Sequence, residues 1–227
     1  MDTIILELRS GEGGEDSKLL VIDQLAIYDK LCTRLRLSME VVEQRPGFIC
    51  ATISGKDVAK TFKHESGGHR FQRIPPTEKR GRIQSSTITV AVLPVPKEQE
   101  LRIPDKDLRV TVCLSGGSGG QHVNRTESAV QLLHIPTGIL VRCESERSQA
   151  QNRLTAMDLL RSKLAKAQNE KGQVERNQAR RDQVGTGERS DKVRTIQEQN
   201  DTVLDHVTGK RTTVRKYRKG LLEDLWA

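Results

Sequence analysis

Aromatic residues are scarce in this chain, at 3% of its 227 residues, whereas charged residues reach 30%. Any hydrophobic core must therefore be mainly aliphatic and lie beneath a densely charged surface. No stretch of about 18 consecutive apolar residues occurs, which argues against a membrane-spanning helix. The N-terminus has neither a basic flank nor a long apolar segment, so no secretory signal is indicated. We expect a cytoplasmic protein without a membrane partner.

Patterns that hold metal ions are also missing. The four cysteines show no CxxC spacing, and the five histidines lack the spacing of metal ligands. Cys32, Cys50, Cys113 and Cys143 all lie in apolar contexts, so we expect buried free thiols in a reducing compartment. No metal or other cofactor is predicted.

Positive charge is in excess in this chain. The formal net charge is +8, which favours a polyanionic partner, nucleic acid before membrane. Basic residues crowd into the last quarter of the chain: Arg176, Arg180, Arg181, Arg189, Lys192, Arg194, Lys210, Arg211, Arg215, Lys216, Arg218 and Lys219. Such clustering is typical of a nucleic-acid-binding surface.

The order of predicted elements indicates an α+β fold. A strand at Thr3–Arg9 precedes a helix at Ser17–Leu37, and Arg45–Gly47 forms the turn of a hairpin. Further on, strands near 107–113, 130–135 and 138–143 precede a long charged helix that starts at Ser148, so a second, small α+β unit is expected.

The stretch Leu114–His122 contains four glycines within five positions. Glycine loses more backbone entropy on folding than any other residue, so a pattern this costly implies a function. A phosphate-binding loop is one interpretation, but no Gly-Lys-Ser/Thr sequence follows. Asn124 resembles a helix N-cap with Glu127 three residues later, which predicts a helix up to about Val130.

A second informative stretch is His64–Ser86. Its adjacent prolines exclude a central strand, so Pro75–Thr77 is predicted to be a stiff exposed loop. One interpretation is a plain connection before a strand at Ile83–Leu93. The other is a preorganised reader of single-stranded RNA, whose bases expose their hydrogen-bonding edges.

These two stretches resemble one family. The run from Ser115 to Gln149 is similar to the GGQ domain of bacterial-type class I peptide chain release factors. The stretch from Gln72 to Ser86 is similar to the codon-recognition domain of the branch that reads UAA and UAG. The resemblance covers nearly the whole chain from Ile4 and implies a shortened form without the family's N-terminal helical domain.

The resemblance implies four segments. Residues 1–94 would be the codon-recognition domain and 95–106 a linker. Residues 107–184 would be the GGQ domain with its long charged helix, and 185–227 a switch segment and a C-terminal part packing on the codon-recognition domain.

The resemblance also implies site residues. Catalysis would fall to Gly119, Gly120 and Gln121, with Gln121 also a methylation site. The codon would be bound by Gly13, Asp16, Gln72, Pro75, Pro76, Thr77, Gln84 and Ser85. RNA would be contacted by Arg70, Arg73, Arg82, Arg125 and Arg147. Gln84 departs from the family, which has a histidine that stacks on the codon, and an amide is a poorer stacking surface.

The implied activity is hydrolysis of the peptidyl-tRNA ester. Because the chain shows no nucleophile paired with a base, water must attack, and the ribosomal RNA must supply most of the active site. The expected partners are ribosomal RNA, the stop codon of the messenger RNA, peptidyl-tRNA in the P site and a glutamine methyltransferase, and the chain is expected to be a monomer.

Two other functions remain open at this stage. The first is a rescue hydrolase that brings a GGQ domain to stalled ribosomes without reading a codon, which Gln84 favours. The second is an RNA-binding module without activity, against which the intact Gly119–Gln121 sequence argues.

Overall fold

The computed structural model describes residues 2–95, 103–116, 125–185, 187–188 and 190–226. The chain divides into two compact units: residues 1–96 together with 176–227, and residues 97–175. Each unit contains a β-sheet and helical residues, so the α+β class predicted from the sequence is confirmed. No helix within these ranges is both long and apolar enough to cross a membrane.

The first unit is built on a sheet of eight strands. They are β1 (Asp2–Ser10), β2 (Ser38–Arg45), β3 (Phe48–Gly55), β4 (Gly67–Arg73), β5 (Gln84–Pro94), β9 (Arg194–Gln197), β10 (Thr202–Asp205) and β11 (Arg211–Thr212). Their order in the sheet is β11-β10-β9-β4-β5-β1-β3-β2, and neighbours are antiparallel except β4 and β9, which run parallel. Its helices are α1 (Glu15–Leu35), α2 (Val58–Phe62) and α4 (Val214–Arg218), with single 3₁₀ turns at Lys63–Glu65 and Glu223–Leu225.

Alternating residues of the central strands form one wall of the core. On β1, Ile4, Leu6 and Leu8 are buried while their neighbours are more exposed, as expected for a sheet covered on one face. Helix α1 contributes Leu20 and Leu31, which belong to the same hydrophobic cluster. The hairpin predicted around residues 45–47 is confirmed by the pairing of β2 with β3.

The second unit is a three-stranded antiparallel sheet with the start of a long helix. Strands β6 (Leu108–Cys113), β7 (Ala129–His134) and β8 (Ile139–Cys143) lie in that order, after a 3₁₀ turn at Asp105–Asp107. Helix α3 (Gln149–Val184) begins here and extends into residues assigned to the first unit. It ends where Gly185 takes a left-handed φ of 62°, which glycine adopts without strain.

One local prediction was wrong. The helix expected from Asn124 to Val130 is not formed over its described C-terminal part, because residues 126–128 are irregular and β7 begins at Ala129. Pairing with β6 and β8 gives Val130 two partner strands and a buried side chain, and this outweighs the local capping pattern. Asn124 itself lies outside the described residues.

Burial of the cysteines was predicted correctly for two of them. Cys32 and Cys143 are buried, whereas Cys50 and Cys113 are half-buried. All four thiols are free.

A buried ion network joins the first unit's C-terminal segment to its centre. The fully buried Arg194 guanidinium donates to Glu65 Oε2 at 2.6 Å and to Asp205 Oδ2 at 2.9 Å. Glu65 also accepts from the Tyr28 hydroxyl at 2.9 Å and the Trp226 indole N–H at 2.7 Å. Because buried charges are tolerated only when paired and hydrogen-bonded, the network requires all these segments to be in place together.

Two titratable groups of this network have shifted pKa values. Burial alone would raise the pKa of Glu65, but the charge and hydrogen bonds of Arg194 outweigh burial and lower it to about 2. Burial, and then the positive charge of Arg194, lower the pKa of His69 to about 4. Both groups therefore take up protons less readily in the folded chain than in the unfolded one.

Replacing the central cation should destabilise the first unit. Arg194→Met leaves Glu65 and Asp205 buried without their partner, so we expect unfolding to become easier by about 3–5 kcal/mol. Urea unfolding followed by the fluorescence of Trp226, the chain's one tryptophan, measures this. The control is Arg211→Met at an exposed position, expected to change stability by less than about 0.5 kcal/mol. Equal losses in both variants would contradict the network's role.

Acid should weaken the same unit in two stages. The pKa of His69 falls from its ordinary 6.5 to about 4 on folding, so stability falls as pH drops through that interval. The pKa of Glu65 falls from 4.5 to about 2, so a further loss follows there. Each proton contributes at most about 1.4 kcal/mol per pH unit. Urea midpoints measured by Trp226 fluorescence between pH 8 and pH 3 test this, and a midpoint that rises on acidification contradicts it.

Candidate nucleic-acid interface

Residues 74–83, the proline loop, connect β4 to β5. The loop is closed at its base by the antiparallel pair Arg73↔Gln84, and the Glu78 N–H donates to the Pro75 carbonyl at 3.0 Å. Pro75 is buried, whereas Pro76 and Thr77 are exposed. The loop therefore presents a tip whose backbone is restricted by two prolines and a hydrogen-bonded turn.

The Glu78 carboxylate is the centre of this loop. It accepts from the Arg80 N–H at 2.7 Å, from Arg82 Nε and Nη2 at 3.1 and 2.9 Å, and from Gln84 Nε2 at 2.9 Å. Only 5% of its side chain is exposed. The hydrogen bond from Arg80, and then those from Arg82, lower the pKa of Glu78, so the carboxylate stays ionised. Sequence reasoning missed Glu78, although a lone acidic residue before Arg80 and Arg82 was a usable signal.

The predicted codon residues on β4 and β5 lie side by side. Gln72 Nε2 is 3.4 Å from Ser85 Oγ, and Gln72 Oε1 accepts from Gln197 Nε2 at 2.8 Å. Gln84, which stands where the family has histidine, has its amide bound to Glu78. It thus stabilises the proline loop.

The glycine turn, residues 11–14, lies directly against β5. Gly13 has φ 132°, and a Cβ there would lie 2.5 Å from Ser86 Oγ and 2.9 Å from Ser86 Cα. No other residue fits without moving the strand. The turn is thereby fixed against Ser86, the residue after Ser85 on β5.

Asp16 and Arg73 form a buried ion pair, which sequence reasoning did not foresee. Arg73 donates to Asp16 Oδ1 through Nε at 3.0 Å and Nη2 at 2.7 Å, and to Asp23 through Nη1 at 2.8 Å. Asp16 is 2% exposed and Arg73 is 6% exposed. Arg73 thus directs its donors to α1 and connects that helix to the base of the proline loop, while its predicted RNA contact stays a prediction. Asp16 is buried in this pair, and its predicted codon contact also stays a prediction.

The other predicted RNA contacts are more accessible. Arg82, Arg125 and Arg147 are exposed and Arg70 is half-buried. Burial and the positive charges of Lys192 and Arg70 lower the pKa of His206, which indicates a local positive potential near β4 and β9. Such a potential favours an anionic partner.

Thr87 connects the glycine turn to the predicted switch segment. Its hydroxyl accepts from the Glu12 N–H at 2.8 Å, and its backbone exchanges hydrogen bonds with Gly11 and Glu12. The Gly187 carbonyl lies 3.5 Å from the same hydroxyl. Sequence reasoning gave no role to Thr87, since its position shows only a β-branched residue in a strand.

The predicted catalytic residues Gly119, Gly120 and Gln121 lie outside the described residues, so their roles stay predictions. Their place in the topology is defined, because β6 and β7 pair down to Cys113↔Ala129. The segment that contains them is therefore the connection at the end of this hairpin.

Comparison with known proteins agrees with this arrangement. The profile described as PCRF domain matches residues 1–90, and the profile described as RF-1 domain matches residues 97–207. Peptide chain release factor 1 of Akkermansia muciniphila is 43% identical over 228 residues, which cover 97% of this chain and 64% of the relative. The protein of the same name from Carboxydothermus hydrogenoformans is 45% identical, over 91% of this chain and 59% of its own.

A solved structure is similar as well. RF2 of Thermus thermophilus aligns with a TM-score of 0.57 and 31% identity, over 99% of this chain and 66% of the other. The chain belongs to the class I peptide chain release factors, and within them to the RF1-like branch. The family resemblance predicted from the sequence is confirmed. The chain spans 59% to 64% of the length of these two relatives.

Removing the Glu78 carboxylate should loosen the proline loop. In Glu78→Ala the side chains of Arg82 and Gln84 and the Arg80 N–H lose their common acceptor, so we expect trypsin to cleave after Arg80 and Arg82 several-fold faster. Timed digestion with mass spectrometry measures the rate. Glu40→Ala, at an exposed position on β2, is the control and should leave the rate unchanged. Equal cleavage in all three proteins would show that Glu78 does not order the loop.

Proposed function

We propose that the chain terminates translation: it binds the ribosomal A site, reads a stop codon with its first unit and promotes hydrolysis of peptidyl-tRNA by water through its GGQ segment. The support is its membership of the release factor family together with the geometry of the proline loop. Its partners on this proposal are ribosomal RNA, the messenger RNA stop codon and P-site peptidyl-tRNA. It acts as a monomer in the cytoplasm, and a methyltransferase modifies Gln121.

One observation supports the proposal that the first unit reads a codon. Residues predicted to bind the codon come from three separate segments, and contacts join them: Gly13 lies against Ser86, the neighbouring Ser85 lies 3.4 Å from Gln72, and Gln84 shares Glu78 with the turn at Pro75. The contact of Gln72 with Ser85 follows from the register of β4 and β5, but a plain connection between strands would not require the glycine turn against Ser86 or the hydrogen bonds to Glu78. Pro76 and Thr77 remain exposed at the tip, where base edges are read without further ordering of the backbone.

The chemical step needs little from the protein beyond positioning. Gly119 and Gly120 allow a backbone shape that costs residues with a Cβ about 1–2 kcal/mol. The Gln121 N–H then donates to the developing oxyanion or the departing ribose hydroxyl, a contribution of about 3–4 kcal/mol for a preorganised donor. The Gln121 side chain favours water over larger nucleophiles. The ribosomal RNA provides the remainder of the active site.

A rescue hydrolase without codon specificity is the second candidate. The observation that favours it is Gln84, whose amide is bound to Glu78 and offers no ring to stack on a base. The ordered proline loop weighs against it, because a protein that reads no codon has no need for that preorganisation.

The discriminating experiment measures peptide release from ribosomes with UAA, UAG, UGA, a sense codon or an empty A site. Termination predicts release on UAA and UAG well above the sense and empty controls. Equal release on every template supports rescue. Binding without release on any template leaves an RNA-binding module and contradicts both hydrolase functions.

A substitution in the GGQ segment separates binding from chemistry. Gly120→Val should reduce peptide release by at least about 10²–10³-fold, because a β-branched residue blocks the backbone shape that presents the Gln121 donor. Binding to programmed ribosomes, measured by filtration, should stay close to that of the unaltered chain. Loss of binding in parallel with release would count against this assignment.

A further inference from the structure

The connection between β6 and β7 spans residues 114–128, and its two ends are held by side chains from outside the connection. Contacts at the two ends of a connection determine where it leaves one strand and enters the next. Both anchors lie in the second unit and within described residues. Their partners are Leu114–Gly116 at the first end and Glu127–Ser128 at the second.

Asn152 anchors the second end. It is fully buried, and its Nδ2 donates to the carbonyls of Ser128 and Glu146, both at 2.8 Å. Its Oδ1 accepts from the Glu146 N–H at 2.9 Å and lies 3.6 Å from Cys143 Sγ. One side-chain amide, with two donors and an acceptor oxygen, therefore connects the last residue before β7 to the segment before α3.

The position of Asn152 on α3 suits a residue that binds the end of the connection rather than one that packs in the core. The buried residues of α3 are Asn152, Ala156, Leu160 and Leu164, at intervals of four. The three apolar members belong to the core of the second unit, and the polar member lies at the end of the row nearest the connection. An apolar side chain at 152 would extend the core but leave backbone groups of Ser128 and Glu146 unpaired.

Glu144 anchors the first end. Its Oε2 accepts from the Gly116 N–H at 3.0 Å and from Arg142 Nη2 at 2.7 Å, and Arg142 also donates to the Leu114 carbonyl at 3.3 Å. The two ends meet through the hydroxyls of Ser115 and Ser128, which lie 3.2 Å apart. Gln149, one turn before Asn152, adds a bond of 3.1 Å to the Glu127 carbonyl.

We propose that Asn152 and Glu144 are positioning residues for peptide release, which fix the two ends of the connection that carries Gly119–Gln121. The proposal rests on the proposed function. Neither residue touches the reacting ester; each acts through backbone groups at the base of the connection. Because a reacting group misplaced by about 1 Å costs on the order of 10²-fold in rate, anchors of this kind set the rate of the chemical step.

The principal test is Asn152→Asp, which keeps the size of the side chain and, when ionised, loses both donors. We expect the release rate at saturating protein to fall by about 10–100-fold, while the protein concentration that gives half the maximal rate stays unchanged. Lowering the pH should restore part of the rate, because a protonated carboxyl regains one donor. Cys143, whose Sγ lies 3.6 Å from Asn152 Oδ1, is the titratable side chain that Asn152 contacts. Gln151→Asp, at the exposed neighbouring position, is the control and should show neither effect.

Glu144 provides a test that does not depend on a buried position. Glu144→Ala should lower the saturating release rate, and Glu144→Gln, which keeps an acceptor for the Gly116 N–H, should restore most of it. This pair decides the matter if circular dichroism shows that Asn152→Asp does not fold.

The outcomes separate this inference from the proposed function. Suppose that the unaltered chain releases peptide and that Asn152→Asp and Glu144→Ala release it equally fast at saturating protein. The two residues then do not position the segment, even if the variants need a higher protein concentration to reach half the maximal rate. If the unaltered chain releases nothing on any template, the proposed function fails and the inference fails with it.

Discussion

The buried charges of Arg194, Glu65 and Asp205 are the constraint on which the first unit depends. Arg194 lies on β9, Glu65 at the end of the 3₁₀ turn before β4, and Asp205 at the end of β10. Removing Arg194 leaves two carboxylates in the core without their cation, which costs more than most single contacts contribute. The C-terminal segment is therefore a required part of the sheet that carries the proline loop.

The order of the proline loop follows from that base. β4 runs between β5 and β9 and is paired on both sides up to Gln72. Arg73, the last residue of β4, pairs with β5 and is further fixed by Asp16 and Asp23. Only the short segment beyond Arg73 needs its own stabilisation, and Glu78 supplies it with four hydrogen bonds. The buried ion network thus stabilises the sheet, and the sheet and Glu78 together restrict the exposed tip of the proline loop. A loop restricted in this way loses little conformational entropy when it binds a partner.

The sequence predicted the elements better than the contacts. Alternating apolar residues gave β1 and the hairpin of β2 and β3, and prolines gave the exposed loop, because these signals are local. The roles of Thr87 and Asn152 depend on partners supplied by the folded chain, so no spacing indicates them. Arg73 shows the same limit: its place beside the proline loop suggested a phosphate contact, but no spacing in the sequence indicated its ion pairs with two aspartates of α1. The end of the GGQ connection was also misjudged, since a capping pattern is weaker than pairing with two strands.

The uneven distribution of aromatic residues has a practical consequence. All six, the single Trp226 with two tyrosines and three phenylalanines, lie within residues 1–96 and 176–227, and none lies within 97–175. The core of the second unit is accordingly made of side chains such as Val130, Leu132 and Leu160, without a ring among them. Near-ultraviolet absorption of this protein therefore arises wholly from the first unit. The second unit has no Phe, Tyr or Trp of its own, so a single tryptophan introduced there would have no other such residue within the same unit.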